Sequence, residues 1–154
     1  HNLAPGVLSS PPPARPLFLY FSGKRDTLEH SMVRQNFCNL FAALNIAAKT
    51  NRDFIKFRHF KQAPSLLRVL AEEGYVSRYR RNGDKIELHL RKTRKGVIMK
   101  GIKQRSKPSI KTYIPKTFKE DNTNLALALC GNKVVRVRDL ERIGHGGVYL
   151  CDIL

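Results

Sequence analysis

The sequence predicts an α+β fold, in which an α/β unit of helix, strand, helix, strand and strand precedes a mainly β unit. In the first half, segments with helical spacing of apolar residues alternate with shorter β-like runs. In the second half, short β-like runs follow one another with turn residues between them. We expect a Pro-rich extended arm at 1–28, an N-terminal α+β domain at 29–92 and a C-terminal mainly β domain at 93–154.

Prolines set the N-terminal arm apart from the rest of the chain, because they favour an extended backbone with few hydrogen bonds. These residues are Pro5, Pro11, Pro12, Pro13 and Pro16. The apolar run at 17–21 is far too short to cross a membrane. We expect the arm to contact the globular body or a neighbouring protein.

The first helix is predicted over 30–50, because apolar residues recur there at helical spacing. This stripe consists of Phe37, Leu40, Phe41 and Leu44. A strand is predicted over 53–60. Pro64 favours the start of a second helix, since a first turn does not need its missing N–H, and Gly74 is a natural stop.

A hairpin over 75–91 completes the first half, because Asn82–Gly83 is a strong turn signal between two β-like runs. The second half contains five further β-like runs and one helical turn at 137–143. The runs are 97–102, 110–114, 125–129, 134–137 and 148–153.

Basic residues dominate the charge of the chain. Among its 154 residues, 29 Lys and Arg stand against 12 Asp and Glu, which gives a formal net charge of +17. The charge is concentrated in 88–119, which contains eleven Lys or Arg residues and no Asp or Glu. Each cation that neutralises a phosphate releases counterions, so this stretch favours nucleic acid over a merely solvated face or an acidic membrane surface.

Membrane-spanning, metal-binding and catalytic proteins are not favoured. No run approaches the roughly 18 apolar residues of a membrane span. Cys38, Cys130 and Cys151 lack the short spacing of a zinc or redox motif, so we expect reduced thiols and no metal or cofactor. His145 has no carboxylate or nucleophile at a recognisable spacing, so we expect a turn histidine rather than a general base.

Two segments of the second half carry chemistry suited to RNA. In 102–113, the hydroxyls of Ser106 and Ser109 and the ring of Tyr113 stand among cations, where they could contact phosphate, ribose or an unpaired base. A half-buried strand position is the equally weighted alternative for Tyr113. At the C-terminal corner, Gly144 and its neighbours permit a tight backbone that can approach a partner closely.

Three segments together resemble the universal small-subunit ribosomal protein number eight family. Residues 66–76 (Leu-Leu-Arg-Val-Leu-Ala-Glu-Glu-Gly-Tyr-Val) resemble its second helix and Glu-Glu-Gly ending. Residues 102–108, ending in Ser-Lys-Pro, and then Tyr113 resemble its Ser-Lys/Arg-Pro-Gly turn. Residues 138–151 resemble its terminal Gly-x-Gly-Gly-x-x-x-Cys signature.

The resemblance implies a two-domain, non-catalytic protein that binds the central domain of small-subunit ribosomal RNA and supports subunit assembly and translation. It departs from the family at 129–136, where Leu-Cys-Gly-Asn-Lys-Val-Val-Arg replaces a hydroxyl-rich loop. Asn132, Lys133 and Arg136 could there replace hydroxyl contacts with charge. The divergent loop and the arm favour a mitochondrial ribosome, with a chloroplast or the bacterial cytoplasm as the alternative.

The predicted RNA-binding residues fall into three groups along the chain. They are Arg91, Lys92, Arg94 and Lys95; then Lys103, Arg105, Ser106, Lys107, Pro108, Ser109 and Tyr113; and finally Asn132, Lys133, Arg136, Gly144, Gly146 and Gly147. The expected partners are small-subunit ribosomal RNA and neighbouring ribosomal proteins. The alternatives are a free-standing RNA-binding regulator and an RNA-processing enzyme that uses His145, His89 or His59.

Overall fold

The computed structural model describes residues 28–108, 110–119 and 124–154. The predicted arm therefore lies outside the described residues except for Leu28, and Ser109 lies outside them too. The first half contains α1 (Leu28–Lys49), β1 (Phe54–Arg58), α2 (Ala63–Glu72), β2 (Val76–Asn82) and β3 (Lys85–Leu90). Together with the strands of the second half, these elements confirm the predicted α+β class.

The first half is a three-stranded antiparallel sheet in the order β1-β3-β2, covered on one face by the two helices. The predicted helical stripe is confirmed, because Phe37, Leu40, Phe41 and Leu44 are all buried. Pro64 occupies the first turn of α2, as predicted. The hairpin turn lies one residue later than the sequence suggested, since Asn82 still pairs with Lys85.

The second half is a five-stranded sheet built around its last strand. Its elements are β4 (Lys92–Thr93), β5 (Gly96–Val97), β6 (Ile102–Gln104), β7 (Tyr113–Ile114), β8 (Leu125–Cys130), β9 (Lys133–Arg136), a 3-10 turn (Val137–Asp139), α3 (Leu140–Ile143) and β10 (Gly147–Ile153). Strands β6, β10, β8 and β9 pair in that order, and β7 also pairs with β10. A separate two-stranded hairpin consists of β4 and β5.

Two predicted strands of the second half are wrong in extent. The run 97–102 is interrupted, because residues 98–101 lie outside any strand and Lys100 donates its backbone N–H to the carbonyl of Leu154. The run 110–114 shortens to Tyr113–Ile114. In both places contacts with the C-terminal strand, which local sequence does not encode, decide the backbone path.

One hydrophobic cluster extends across both halves. It joins Leu44 and Leu66 of the helices with Leu127 and Ile153 of the second sheet. Asn45 of α1 reinforces this packing, because its side chain accepts from the N–H and donates to the carbonyl of Ile102, at 2.7 and 3.0 Å. Since buried side chains cross the junction, the domain boundary at 92–93 stays a prediction.

Candidate nucleic-acid interface

A cleft of about 460 Å³ opens where the two halves meet at the C-terminal corner. Its walls come from α1, the start of α2, the loop before β7, the β8–β9 turn and the start of β10. The polar and basic side chains along it are Arg34, Gln62, Lys111, Tyr113, Asn132 and His145. The fold thus brings together groups that lie up to 111 positions apart in the sequence.

A second depression of about 610 Å³ continues this cleft around the corner. It shares Lys111, Tyr113, His145 and Gly146 with the first, and adds Lys116 and Gly144. Lys116 and His145 are exposed, whereas Lys111 and Tyr113 are half-buried. We call the two depressions together the corner cleft. Cations and aromatic rings line the same concave surface, which is a suitable arrangement for phosphates and unpaired bases.

The glycines of the corner are required by packing inside the protein. A Cβ at Gly146 would clash with the carbonyl oxygen of Ile114, and a Cβ at Gly147 would lie 2.6 Å from the carbonyl oxygen of Leu129. Gly144 caps α3 with φ of 100°, a left-handed conformation that favours glycine. Gly146 and Gly147 therefore approach β7 and β8 closely, and contact of the three glycines with RNA stays a prediction.

The Ser-Lys-Pro turn is fixed by a buried serine. The Ser106 hydroxyl donates to the carbonyl of Tyr149 at 2.7 Å and accepts from the N–H of Thr112 at 3.0 Å. Ser106 is only 4% exposed. The hydroxyl that looked available for RNA is therefore occupied within the protein, while the neighbouring Lys107 is exposed.

Arg34 of α1 holds the same turn through two hydrogen bonds to its backbone carbonyls. Its Nε donates to the carbonyl of Lys107 at 3.0 Å, and its Nη2 donates to the carbonyl of Pro108 at 2.9 Å. The residue is 4% exposed, so these bonds form in a setting where an unpaired charge would be costly. Arg34 was missed by the sequence analysis, although its position three residues before Phe37 puts a charge on the apolar stripe.

Arg105 forms an ion pair with a buried carboxylate inside the protein. Its Nη2 lies 2.7 Å from a carboxylate oxygen of Asp152, which is 1% exposed, and its guanidinium lies 5.0 Å from the centre of the Tyr149 ring. The Tyr149 hydroxyl donates to the other oxygen of Asp152. Arg105 thus neutralises a buried carboxylate, and its predicted contact with RNA is a separate, untested role.

Arg136 joins the two halves through acidic residues at the end of α2. Its Nε donates to Glu73 at 2.6 Å and its Nη2 to Glu72 at 3.0 Å. Burial disfavours the charge, but the two hydrogen bonds and the Coulombic attraction of both glutamates together outweigh that effect and raise the pKa of Arg136. Its charge is therefore compensated within the protein, and its predicted RNA contact stays a prediction.

The other predicted residues lie at several places on the surface. Asn132 lines the corner cleft and accepts from Gln62 at 3.1 Å, while Lys133 is exposed at the start of β9. Lys103 is exposed on β6. The basic cluster at 91–95 belongs to the β4–β5 hairpin, whose Lys92 donates to the carbonyl of Asn51, and it lines neither part of the corner cleft.

Among the described residues, no group of three His, Cys, Asp or Glu side chains is placed to hold a metal ion. Burial raises the pKa of the Cys38 and Cys130 thiols, and raises that of Cys151 well above its usual value. Among the helices of the described residues, none combines the length and the apolar character that a membrane span requires.

Sequence comparison places the chain among known proteins. The family model described as ribosomal protein S8 matches residues 36–154. The chain belongs to the ribosomal protein S8 family. This membership confirms the resemblance drawn from the three sequence segments.

Two bacterial S8 relatives illustrate the similarity. The small ribosomal subunit protein uS8 of Synechococcus sp. (strain JA-3-3Ab) is 33% identical over 98 residues, which cover 56% of this chain and 72% of the relative. The protein of the same name from Halothermothrix orenii is 23% identical over 123 residues, which cover 73% of this chain and 92% of the relative. The S8 relationship therefore extends over most of the chain.

Proposed function

We propose that this S8-family chain is a non-catalytic component of the small ribosomal subunit. In this role it binds the central domain of the small-subunit ribosomal RNA and supports subunit assembly and translation. The family and the names of its relatives support the general assignment to the small subunit. The corner cleft is the observation that carries the more specific RNA-binding role.

The chemistry of the corner cleft suits an irregular RNA helix. An RNA duplex hides its major groove, so proteins contact its shape, its 2′-hydroxyls and its phosphates, and stack on bases that are unpaired. Lys111 and Lys116 can neutralise phosphates, and the rings of Tyr113 and His145 can stack on unpaired bases. Asn132 adds an amide from the β8–β9 turn. This turn stands where the family has a hydroxyl-rich loop. Asn132 and Lys133 would therefore contact RNA through an amide and a charge in place of hydroxyl groups.

The cellular setting is a further part of the proposal. We place the protein in a mitochondrial ribosome on the strength of its divergent 129–136 loop and its Pro-rich N-terminal sequence. The arm at 1–28 would contact neighbouring ribosomal proteins rather than RNA. Residues 1–22 contain a single Lys or Arg on an otherwise basic chain, so they offer little charge to phosphates.

Binding of the purified chain to a central-domain RNA fragment tests the role of the cleft. The double substitution Lys111→Gln with Lys116→Gln should weaken binding and reduce the slope of log affinity against log salt by about 2, since each phosphate contact contributes roughly 0.9. The matched control is Lys49→Gln with Arg52→Gln, which removes the same charge from exposed positions at the end of α1 and just after it. Equal effects of the two pairs would contradict a localised interface.

A further inference from the structure

The first sheet has an outer face that is strongly basic. Ile86, Leu88 and Leu90 of β3 are buried against the helices, so the alternate residues Glu87 and His89 point outward. Directly paired residues point to the same face, which places the partners of Lys85, Glu87 and His89 outward too. The outward basic residues are Lys56, Arg58, Arg78, Arg80 and Lys85.

Little negative charge balances these cations. Within β1, β2 and β3, all of which the structure describes, Glu87 is the one acidic residue. It lies 3.0 Å from Arg80 and 3.9 Å from Lys56, and the hydrogen bond from Arg80 lowers the pKa of its carboxyl. Arg80 and Lys56 nevertheless remain 75% and 59% exposed. The face therefore keeps an excess of accessible positive charge.

Two aromatic rings lie among these cations. The rings of Phe54 and His89 are 4.8 Å apart at an angle of 52°, and both residues are half-buried, so part of their surface reaches solvent. A depression of about 270 Å³ next to His89 is walled by Arg78, Arg80 and Glu87. Aromatic surface and guanidinium groups are thus adjacent on one side of the sheet.

The strand that carries the arginines lies at the edge of the sheet. The order β1-β3-β2 leaves β2 with one partner among the described strands, and residues 77–82 are all exposed. The paired positions of this face include no aliphatic side chain. A protein partner that recognises apolar surface would find little to bind here, whereas a polyanion would meet complementary charge.

We propose that this face, which we call the outer sheet face, binds a single-stranded RNA segment separately from the corner cleft. An unpaired base stacks on Phe54 and His89, while Arg78 and Arg80 contact the flanking phosphates. A groove of cations combined with an aromatic ring is the general means by which proteins hold single strands, because every base has a face that can stack. The inference requires only RNA as the partner and stands independently of the central-domain assignment.

Titration of the full chain with a fluorescent ten-nucleotide oligouridine tests the proposal. Arg78→Gln with Arg80→Gln should lower the affinity at least about fivefold, because two phosphate contacts are lost. Phe54→Leu should lower the affinity by a similar factor, since one base–aromatic stack contributes at least that much. The matched control is Arg68→Gln with Arg81→Gln, which removes two exposed charges from α2 and from β2. Arg81 lies opposite Ile86 and therefore on the other face of the same strand. Circular dichroism melting checks that each variant is folded.

The outcomes separate this surface from the corner cleft. If Lys111→Gln with Lys116→Gln weakens binding to the central-domain fragment but not to oligouridine, the two surfaces are distinct, whatever becomes of the proposed ribosomal role. Equal losses for the outer-face pair and its control would overturn the proposal, because charge alone would explain binding. An unchanged affinity in folded Phe54→Leu would overturn it too.

Discussion

Arg34 donates a 2.9 Å hydrogen bond to the carbonyl of Pro108, although 74 positions separate the two residues. A second bond from the same guanidinium reaches the carbonyl of Lys107. The basic turn of the second half is therefore held by the first helix, and the side chain that holds it also lines the corner cleft. Arg34 is thus one of the contacts that join the two halves, and it also shapes the proposed RNA interface.

Removal of that cation should destabilise the protein. We expect Arg34→Gln to lower the free energy of unfolding by about 2 kcal/mol, because hydrogen bonds from a charged donor to two carbonyls are lost in a buried setting. Urea denaturation measures this change. Arg52→Gln, at an exposed position after the same helix, should change stability by less than about 0.5 kcal/mol. Similar losses in both variants would contradict the fastening role of Arg34.

The glycine corner should not accept a methyl group. We expect Gly146→Ala to lower stability by about 1–3 kcal/mol, since a Cβ would overlap the Ile114 carbonyl and force β7 away from β10. The control is Gly131→Asn in the β8–β9 turn, where φ is 61° and no atom lies within 4 Å of a Cβ. Asparagine tolerates this left-handed conformation, so thermal unfolding of the control should stay near that of the original chain.

The ion pair between Arg136 and Glu73 should couple the two halves energetically. A double-mutant cycle with Arg136→Gln and Glu73→Gln should yield an interaction energy of about 1 kcal/mol, because Arg136 is largely shielded from water. The exposed pair Lys119–Glu141 has a comparable contact at 3.2 Å but should yield close to zero. An interaction energy no larger than that of the exposed pair would show that burial does not strengthen the contact.

Cys151 should make the protein less stable at alkaline pH. Burial raises its pKa well above the value near 9 expected in the unfolded chain. Above pH 9 the folded state therefore retains a thiol proton that the unfolded state loses. The contribution of the neutral Cys151 thiol to the free energy of unfolding is complete below pH 9 and declines as pH rises towards the folded pKa. Stability of Cys151→Ala should fall less steeply above pH 9 than that of the original chain. Parallel curves in chemical denaturation at several pH values would rule this out.

Local pattern was sufficient for much of the fold. The spacing of Phe37, Leu40, Phe41 and Leu44 predicted the buried side of α1, because helix burial follows a 3.6-residue period that adjacent residues reveal. Pro64 and Gly74 marked the ends of α2 to within a residue or two. The interrupted run at 97–102 was beyond this kind of reasoning, since the chain there bonds to Leu154 rather than to a neighbouring strand.

The candidate site was harder to predict, because its partners are distant in sequence. The Ser106 hydroxyl stands next to cations in the chain, yet Tyr149, 43 positions away, occupies it. The charge of Arg136 predicts an RNA contact, but acidic residues 63 and 64 positions earlier neutralise that charge. Side-chain type shows what chemistry is available, whereas tertiary contacts decide which groups remain accessible to a ligand.

Crosslinking the protein to RNA in extract of its own cells, followed by sequencing of the attached fragments, distinguishes a ribosomal protein from a free-standing regulator. We expect fragments concentrated on one helix of the central domain of small-subunit ribosomal RNA. We also expect crosslinked peptides that include Lys111, Tyr113 or the 131–133 turn. Fragments scattered over messenger or transfer RNA, with none enriched from the ribosome, would contradict the ribosomal role and favour a free-standing regulator.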